Sequence, residues 1–338
     1  MTVLSGFLPI WAITAVGWAA GRFNVLGSQA QSVLGRFAFA FAMPALLFLT
    51  LSNARLSDVA TRGVAVFAAS LLLVFALGLL LTRRVFRRRQ SDGAIGAMAG
   101  AYVNSANLGI PVAVHVLHDT SFVIAAALFQ TLFITPLILV LIDLDVRREA
   151  RDRWGRILRL PFRNPIIAAS AAGVSVSALG WRLPAEVTAP VQMLGGAAVP
   201  AALFALGMSL NARTKGGPAG ATRGESPAPR GAQAEKQPAT AAARVKDPAA
   251  SGRAERWVLV AMKLVVQPLV AYALARWAFG LDGRELFAVV LCAGLPTAQN
   301  AFIFASEYRL NSDLARDAVL LSTLLSMASL SLIAWLLA

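Results

Sequence analysis

Residues 93–117 read GAIGAMAGAYVNSANLGIPVAVHVL, an apolar stretch that is long enough to cross a bilayer but is interrupted near its middle. Pro111 removes a backbone donor and clashes with the preceding turn, and Gly109 allows the chain to bend there. Membranes tolerate such an interruption only where the freed backbone groups face protein or a wet cavity. Asn104 and Asn107 share a helical face with Pro111. The stretch therefore predicts a broken membrane helix with one polar face.

A second stretch, residues 286–305 (LFAVVLCAGLPTAQNAFIFA), repeats this pattern. Gly294 and Pro296 have the spacing of Gly109 and Pro111, and Gln299 and Asn300 follow directly. Paired interrupted helices in corresponding positions of two halves are typical of the midplane site of a secondary transporter. The two stretches together therefore predict such a midplane site.

The composition indicates an all-α polytopic membrane protein, because 57% of the 338 residues are hydrophobic and only 14% are charged. Apolar windows of roughly membrane-spanning length recur ten times along the chain. We expect ten spans, at residues 2–21, 32–51, 63–81, 93–117, 122–142, 164–179, 189–210, 257–280, 286–305 and 314–337. The chain has a single cysteine, Cys292, so neither an intramolecular disulfide nor a cysteine-based zinc site is expected.

The net charge of +14 is explained by the loops between these spans. Of the 31 lysines and arginines, 24 lie in odd-numbered loops and five in even-numbered loops. The positive-inside rule then places the odd loops in the cytoplasm and both termini outside, in an integral cell (inner) membrane protein. Since topology accounts for the basic charge, no nucleic-acid partner is expected.

Five spans in each half predict an inverted repeat, because an odd number of spans reverses the second copy. Three matches in the same order support it: PALLF (44–48) with PAALF (200–204), the two Gly-x-Pro breaks, and QTL (130–132) with STL (322–324). The predicted division is a first repeat at 1–143, a cytoplasmic basic loop at 144–163, spans six and seven at 164–211, a disordered basic cytoplasmic linker at 212–255, and spans eight to ten at 256–338.

Residues 295–308 fit the pattern LPxxxxxFxFAxEY, which closely resembles the ninth helix of the auxin efflux carrier family. This family includes the plant PIN auxin carriers and bacterial malonate-type permeases. Asn104 with the following Gly-Ile-Pro resembles the family's fourth helix, and LGMSLN at 206–211 resembles the end of its seventh. The likeness extends over essentially the whole chain.

The resemblance implies a sodium/proton-antiporter-type fold, with helices one, two, six and seven as a scaffold and the other six as a transport domain. It also implies that the broken helices cross at their prolines, which places Gly109, Pro111, Gly294 and Pro296 at the crossing. It also implies carriage of a small organic anion by an elevator-like movement, with Asn104 and Asn211 contacting the substrate carboxylate. The plant ninth helix has apolar residues at the positions of Gln299 and Asn300, so auxin itself is not the expected substrate.

The expected site is built from helix ends and amides. Where two half-helices meet, their N-terminal ends present unpaired N–H groups and partial positive charge, which suits a carboxylate. We expect substrate contacts from Asn104, Asn107, Gln299, Asn300 and Asn211. The alternative is that these amides only satisfy the backbone groups freed by the prolines, or that Asn211 is a C-terminal helix cap.

Two further groups of side chains are ambiguous. Lys263 lies within the eighth span, where it is expected to extend its amine to the cytoplasmic surface, with an anion-attracting role as the second choice. His115 and His118 lie three residues apart, but no third metal ligand is visible, so no metal site is expected. The acidic residues fall in loops or at helix ends, which leaves either uniport or coupling through backbone carbonyls.

The sequence therefore predicts a permease for a small mono- or dicarboxylate that works without a cofactor in the lipid bilayer. A membrane sensor or receptor that binds the anion without transport is the alternative, and a channel is a third class. No HExxH or GxSxG motif occurs, so an enzyme is not expected. The oligomeric state stays open, with a homodimer as one option.

Overall fold

The computed structural model describes residues 2–27, 29–54, 61–146, 164–211 and 248–337. This part of the chain is helical throughout, apart from one isolated bridge between two extended segments. The helices are α1 (Thr2–Arg22), α2 (Ala30–Ser52), α3 (Arg62–Arg84), α4 (Gln90–Ala101), α5 (105–116), α6 (Ser121–Val146), α7 (Pro165–Ala178), α8 (Ala185–Ser209), α9 (248–278), α10 (Gly283–Ala293), α11 (Asn300–Glu307) and α12 (Ser312–Leu337).

Six described helices are long and apolar enough to cross a membrane: α2, α3, α6, α8, α9 and α12. Helices α5 and α7 are shorter and apolar. The all-helical fold and these apolar helices agree with the polytopic membrane protein expected from the composition. The basic loop at 147–163 and residues 212–247 of the predicted linker lie outside the described residues.

Both interrupted stretches are broken in the structure, but the first break lies earlier than its glycine and proline suggest. Helix α4 ends at Ala101 and α5 begins at Ser105, so residues 102–104 form the gap. Pro111 instead lies in the first turn of regular α-helix, after a π-helical turn at 105–109. The second gap runs from Gly294 to Gln299 and contains Pro296.

Four helical turns are widened to π-helix, and a proline follows each of them at the second residue. A proline inside a helix removes one hydrogen bond and crowds the carbonyl of the preceding turn, which a wider turn accommodates. The turns and their prolines are 38–42 with Pro44, 105–109 with Pro111, 130–134 with Pro136, and 262–266 with Pro268. Nothing in the sequence explains a further π-helical turn at 274–278.

The helices pack in two groups. Helix α1 lies along α8, and α7 and α8 both pack on α2. In the other group α3 packs on α4, α4 on α6, α9 on α10, and α11 on α12. The closest approach in the first group is at Gly17 and Gly207, where a Cβ on either glycine would meet a backbone carbonyl of the facing helix. Small residues allow membrane helices to approach this closely.

One end of the described structure contains a network of buried ion pairs. Arg88 contacts Glu255 at 2.6 Å, and Arg256 contacts Asp317 at 2.8 Å. The Arg316 guanidinium pairs with Asp317 and also donates to the carbonyl of Ser209 at 3.0 Å, which joins α12 to α8. Glu255 lies within α9 and Asp317 within α12, and both carboxylates are buried and paired.

The predicted linker, 212–255, overlaps the first residues of helix α9. Helix α9 already begins at Pro248, and the Glu255 side chain is fully buried against Arg88. The hydrogen bond to Glu255 raises the pKa of Arg88 above its ordinary value. This contact between segments far apart in sequence extends the helix into a region whose composition predicts disorder.

We expect Gly207→Ala to destabilise the protein, because its Cβ would overlap the Thr14 carbonyl and force α1 away from α8. Overpacking of this kind costs about 1–3 kcal/mol. Thermal unfolding in detergent would measure the loss. Gly196→Ala is the matched control, since a Cβ there meets nothing within 4 Å in the same helix. Equal melting temperatures for both variants would contradict this account of the packing.

Candidate functional site

The two gaps cross and pair with each other through their backbones. Val103 and Thr297 form an isolated antiparallel bridge. The Asn104 N–H donates to the Pro296 carbonyl at 2.9 Å, and the Ala298 N–H donates to the Tyr102 carbonyl at 3.3 Å. Backbone groups that leave a helix at membrane depth must find such partners. The crossing thus satisfies part of the backbone that the two breaks expose.

Side chains from α6 and α12 pair with more of this backbone, and they come from positions that match between QTL (130–132) and STL (322–324). The Gln130 amide accepts from the Val103 N–H at 2.8 Å and donates to the Val103 carbonyl at 3.2 Å. It also donates to the Ser105 hydroxyl at 2.8 Å, so it holds both residues that flank Asn104. On the other strand, the Thr297 N–H donates to the Ser322 hydroxyl at 3.0 Å. Each crossed segment is therefore supported by the helix that follows it.

A cavity of about 100 Å³ lies between the crossing and helices α2 and α8. It contains four of the five predicted substrate contacts: Asn104, Asn107, Gln299 and Asn300. Asn104 and Gln299 are almost completely buried. The other lining residues are Met43, Leu46, Leu47, Thr50, Tyr102, Val103, Ser105, Ala106, Ala127, Thr131, Ala198, Val199, Ala298 and Phe304.

The cavity is mostly apolar, with its polar groups supplied chiefly by the four amides, and its described lining residues include no charged side chain. Helices α5 and α11 both begin at it, and neither start has a side-chain cap. Each helix start carries a partial positive charge, and at α11 the Ala301 and Phe302 N–H groups already donate to the Ala298 and Gln299 carbonyls. Among the described residues, the Asn104, Asn107 and Asn300 side chains form no hydrogen bond, and the buried Gln299 Oε1 has no partner. The amides are therefore not used to satisfy the freed backbone.

Asn211, the fifth predicted contact, does not reach the cavity. Its Nδ2 donates to the Trp18 carbonyl at 2.6 Å and so joins the end of α8 to α1. The Asn211 side chain lies at the α1–α8 packing interface because α8 approaches α1 so closely. The structure therefore places Asn211 apart from the cavity that the other four residues line, and its contact with a substrate stays a prediction.

Lys263 does not extend to the surface, contrary to expectation. Its side chain is completely buried, and Nζ donates to the Ala293 carbonyl at 2.8 Å and to Gln267 Oε1 at 2.7 Å. Ala293 is the last residue of α10, where the helix dipole is negative. The ammonium group therefore has partners at depth and lies at the C-terminal end of a half-helix, outside the cavity lining.

Gly109 and Gly294, which were predicted to lie at the crossing, are closely packed. A Cβ on Gly109 would come within 2.8 Å of Leu295 Cδ1 from the other broken stretch, so the Leu295 side chain would have to shift to admit a larger residue. Across the described ranges, no group of three or more histidine, cysteine, aspartate or glutamate side chains could hold a metal ion.

Sequence reasoning missed the supporting role of Gln130 and the cavity positions of Tyr102 and Thr131. The match of QTL with STL contained a signal, since its first residues, Gln130 and Ser322, are the two supports of the crossing. The match was used only as evidence for a repeat. A polar residue at membrane depth in each helix that follows a break would have indicated the role.

We expect Gln130→Leu to weaken the site, because it leaves the buried Val103 N–H and carbonyl without these partners. Each orphaned buried group costs about 1–3 kcal/mol. Thermal unfolding should show this loss, and any ligand that stabilises the parent protein should stabilise this variant less. Phe133→Leu is the control, since that side chain is exposed on the same helix. If Gln130→Leu is as stable as Phe133→Leu and is stabilised as much by the ligand, Gln130 does not support the crossing.

Comparison with known proteins agrees with this architecture. The sequence model of a family described as "Membrane transport protein" matches residues 2–155 and 154–334. A protein named "Putative malonate transporter" from Rhizobium meliloti (strain 1021) is 27% identical over 339 residues, which are 96% of this chain and 92% of that protein.

Two archaeal proteins are also similar. One named "Uncharacterized transporter" from Methanothermobacter thermautotrophicus is 25% identical, over 96% of this chain and 95% of that protein. An uncharacterized transporter from Methanocaldococcus jannaschii is 20% identical, over 98% of this chain and 97% of that protein. The similarity in all three cases extends along nearly the full length of both chains.

Proposed function

The chain belongs to the membrane transport protein family, the auxin efflux carrier family that its motifs resemble, and from this membership we propose that it is a secondary transporter of a small organic anion. It is a multi-pass integral membrane protein and a transport protein, not an enzyme. The observation that carries the proposal is the cavity where two uncapped helix starts meet between buried amides.

A carboxylate suits this cavity for electrostatic reasons. The starts of α5 and α11 offer partial positive charge to the same small volume, and the start of α5 adds N–H donors. The amides of Asn104, Asn107, Gln299 and Asn300 add donors without the desolvation cost of a buried charge. No acidic side chain among the described lining residues opposes an anion.

The proposed substrate class is a mono- or dicarboxylate. The small cavity favours a compact molecule, and the name of the Rhizobium meliloti relative makes malonate the first acid to test. Gln299 and Asn300 make this part of the cavity more polar than apolar residues at the same two positions would. This polarity argues against an aromatic acid such as auxin.

We infer ten spans arranged as two inverted repeats, with both termini outside an inner membrane. The inference is supported by the loop charges and by the paired contacts of Gln130 with Val103 and of Ser322 with Thr297. If the halves are related by a twofold axis in the membrane, the Gln130–Val103 and Ser322–Thr297 contacts both derive from one contact in the ancestral repeat.

The proposed transport movement is an elevator-like shift of the crossing relative to α2 and α8. The cavity lies at the boundary between the two helix groups, so a relative movement would change which side it faces. Without a carboxylate in the described lining, we infer either uniport driven by voltage and the anion gradient or coupling through backbone carbonyls. Anion exchange that depends strictly on an imposed proton gradient, at zero voltage, would contradict both.

A thermal-shift screen of the purified protein against small carboxylates tests the anion site. A ligand at a hundredfold its dissociation constant adds about 2.7 kcal/mol of stability. We expect one or more acids to stabilise the parent protein and Asn104→Ala to lose that response. Asn53→Ala, at the exposed end of α2, should keep it. Stabilisation that Asn104→Ala retains in full would place the acid elsewhere.

Flux in proteoliposomes then separates transport from sensing. A transporter gives saturable uptake and counterflow of the stabilising acid, whereas a sensor binds the acid without flux. Conductance that does not saturate would indicate a channel. Binding without flux in a correctly inserted protein would overturn the transporter proposal in favour of the sensor.

A further inference from the structure

We propose that a gate of three aromatic rings, Phe39, Phe304 and Tyr308, separates the cavity from a vestibule that collects anions on the cytoplasmic side. The inference rests on the proposed function for the anion and for the orientation in the membrane. It adds an access route and a gate, which the site geometry alone does not include.

The vestibule consists of two neighbouring clefts that share Glu307 and Arg309. One has a volume of about 390 Å³ and is lined by Phe39, Ala40, Val146, Asn164, Pro165, Glu307, Tyr308 and Arg309. The other, of about 320 Å³, is more polar and is lined by Ser32, Arg36, Ser306, Glu307 and Arg309. The first cleft lies between Val146 and Asn164, the residues that flank the arginine-rich loop at 147–163.

The gate rings lie between this vestibule and the cavity. Phe39 stands edge-on to Phe304, with ring centroids 5.9 Å apart, and edge-on to Tyr308 at the same distance. Phe304 lines the cavity, whereas Phe39 and Tyr308 line the first cleft. The rings thus form the wall that both spaces share.

The wall is tightly closed. Phe304 is 1% exposed and Phe39 is 6% exposed, so the rings leave little space between them. At the opposite side of the cavity Ala106 is exposed, and Leu47 and Thr50 are only half-buried. The cavity is therefore closed toward the vestibule and more open away from it.

The gate joins the two helix groups. Phe39 belongs to α2, whereas Phe304 lies on α11 and Tyr308 follows it directly. Asn164, the residue before α7, donates from Nδ2 to the Tyr308 hydroxyl at 2.9 Å. Each of these contacts connects the α2–α7 side to the α11 side. A relative shift of the groups would break them together and open the wall.

The vestibule has the charge expected of an anion entrance. Arg36 and Arg309 place two guanidinium groups around the polar cleft, and Ser32 and Ser306 add hydroxyl donors. Glu307 is the single acidic residue among its described lining residues. Arginine binds carboxylates with several donors at once, so the cleft would concentrate small carboxylates before the gate.

Thiol accessibility tests the gate without any knowledge of the substrate. A reporter cysteine is introduced by Ala127→Cys, which lines the cavity, in a Cys292→Ser background. A membrane-impermeant methanethiosulfonate reagent is applied to inside-out vesicles. We expect slow modification with the gate intact and a rate about tenfold higher with Phe39→Ala, since two edge-to-face ring contacts are lost.

Phe41→Ala is the matched control. Phe41 lies on the same helix, is 61% exposed, and is not among the residues that line the cavity or either cleft. It should leave the modification rate unchanged. Tyr308→Phe keeps the ring but removes the hydroxyl that accepts from Asn164, so it should raise the rate less than Phe39→Ala does. Phe39→Leu provides the same test if the alanine variant fails to insert.

An unchanged rate in folded Phe39→Ala and Phe39→Leu proteins would overturn the gate. Fast modification from the cytoplasmic side with the rings intact would overturn it as well. Neither outcome depends on transport, so the gate can fail while flux is present. Conversely, if no carboxylate binds or moves, the anion proposal fails and the accessibility result for the gate is unaffected.

Discussion

The constraint on which the rest of the structure depends is that backbone groups cannot remain unpaired at membrane depth. Two helices of this chain break there, and each exposed segment pairs with the other through Val103 and Thr297. Gln130 and Ser322 provide further partners from the adjacent helices. A single break would leave its backbone groups without this partner strand, so the two breaks are tolerated as a pair.

The same breaks create the site. Each one ends a helix and starts another, so two helix starts meet at the cavity without a basic side chain among its described lining residues. The opposite half-helix ends carry negative dipole charge, and at one of them the Lys263 amine donates to the Ala293 carbonyl. The amine thus contacts the helix end, so the proposed binding of an anion relies on amides and N–H groups.

Local chemistry made much of this predictable. Glycine and proline in an apolar stretch indicate a break, and amides next to a break indicate a polar face, so Asn104, Asn107, Gln299 and Asn300 could be assigned to one cavity. Contacts between residues that are far apart in sequence could not be predicted in the same way. Asn211 lies at the α1–α8 interface, Lys263 finds a carbonyl on α10, and Glu255 becomes helical by pairing with Arg88. Each outcome depends on a partner far away in sequence.

The position of the cavity at the boundary of the two helix groups is what the proposed movement requires. The four amides lie on or next to the crossing, whereas Met43 and Ala198 present apolar side chains from α2 and α8. Because apolar side chains make no directional bonds, the proposed sliding of the crossing along them would leave the contacts of the amides with an anion in place. In the proposed mechanism, the amides and the surface along which they move therefore belong to different helices.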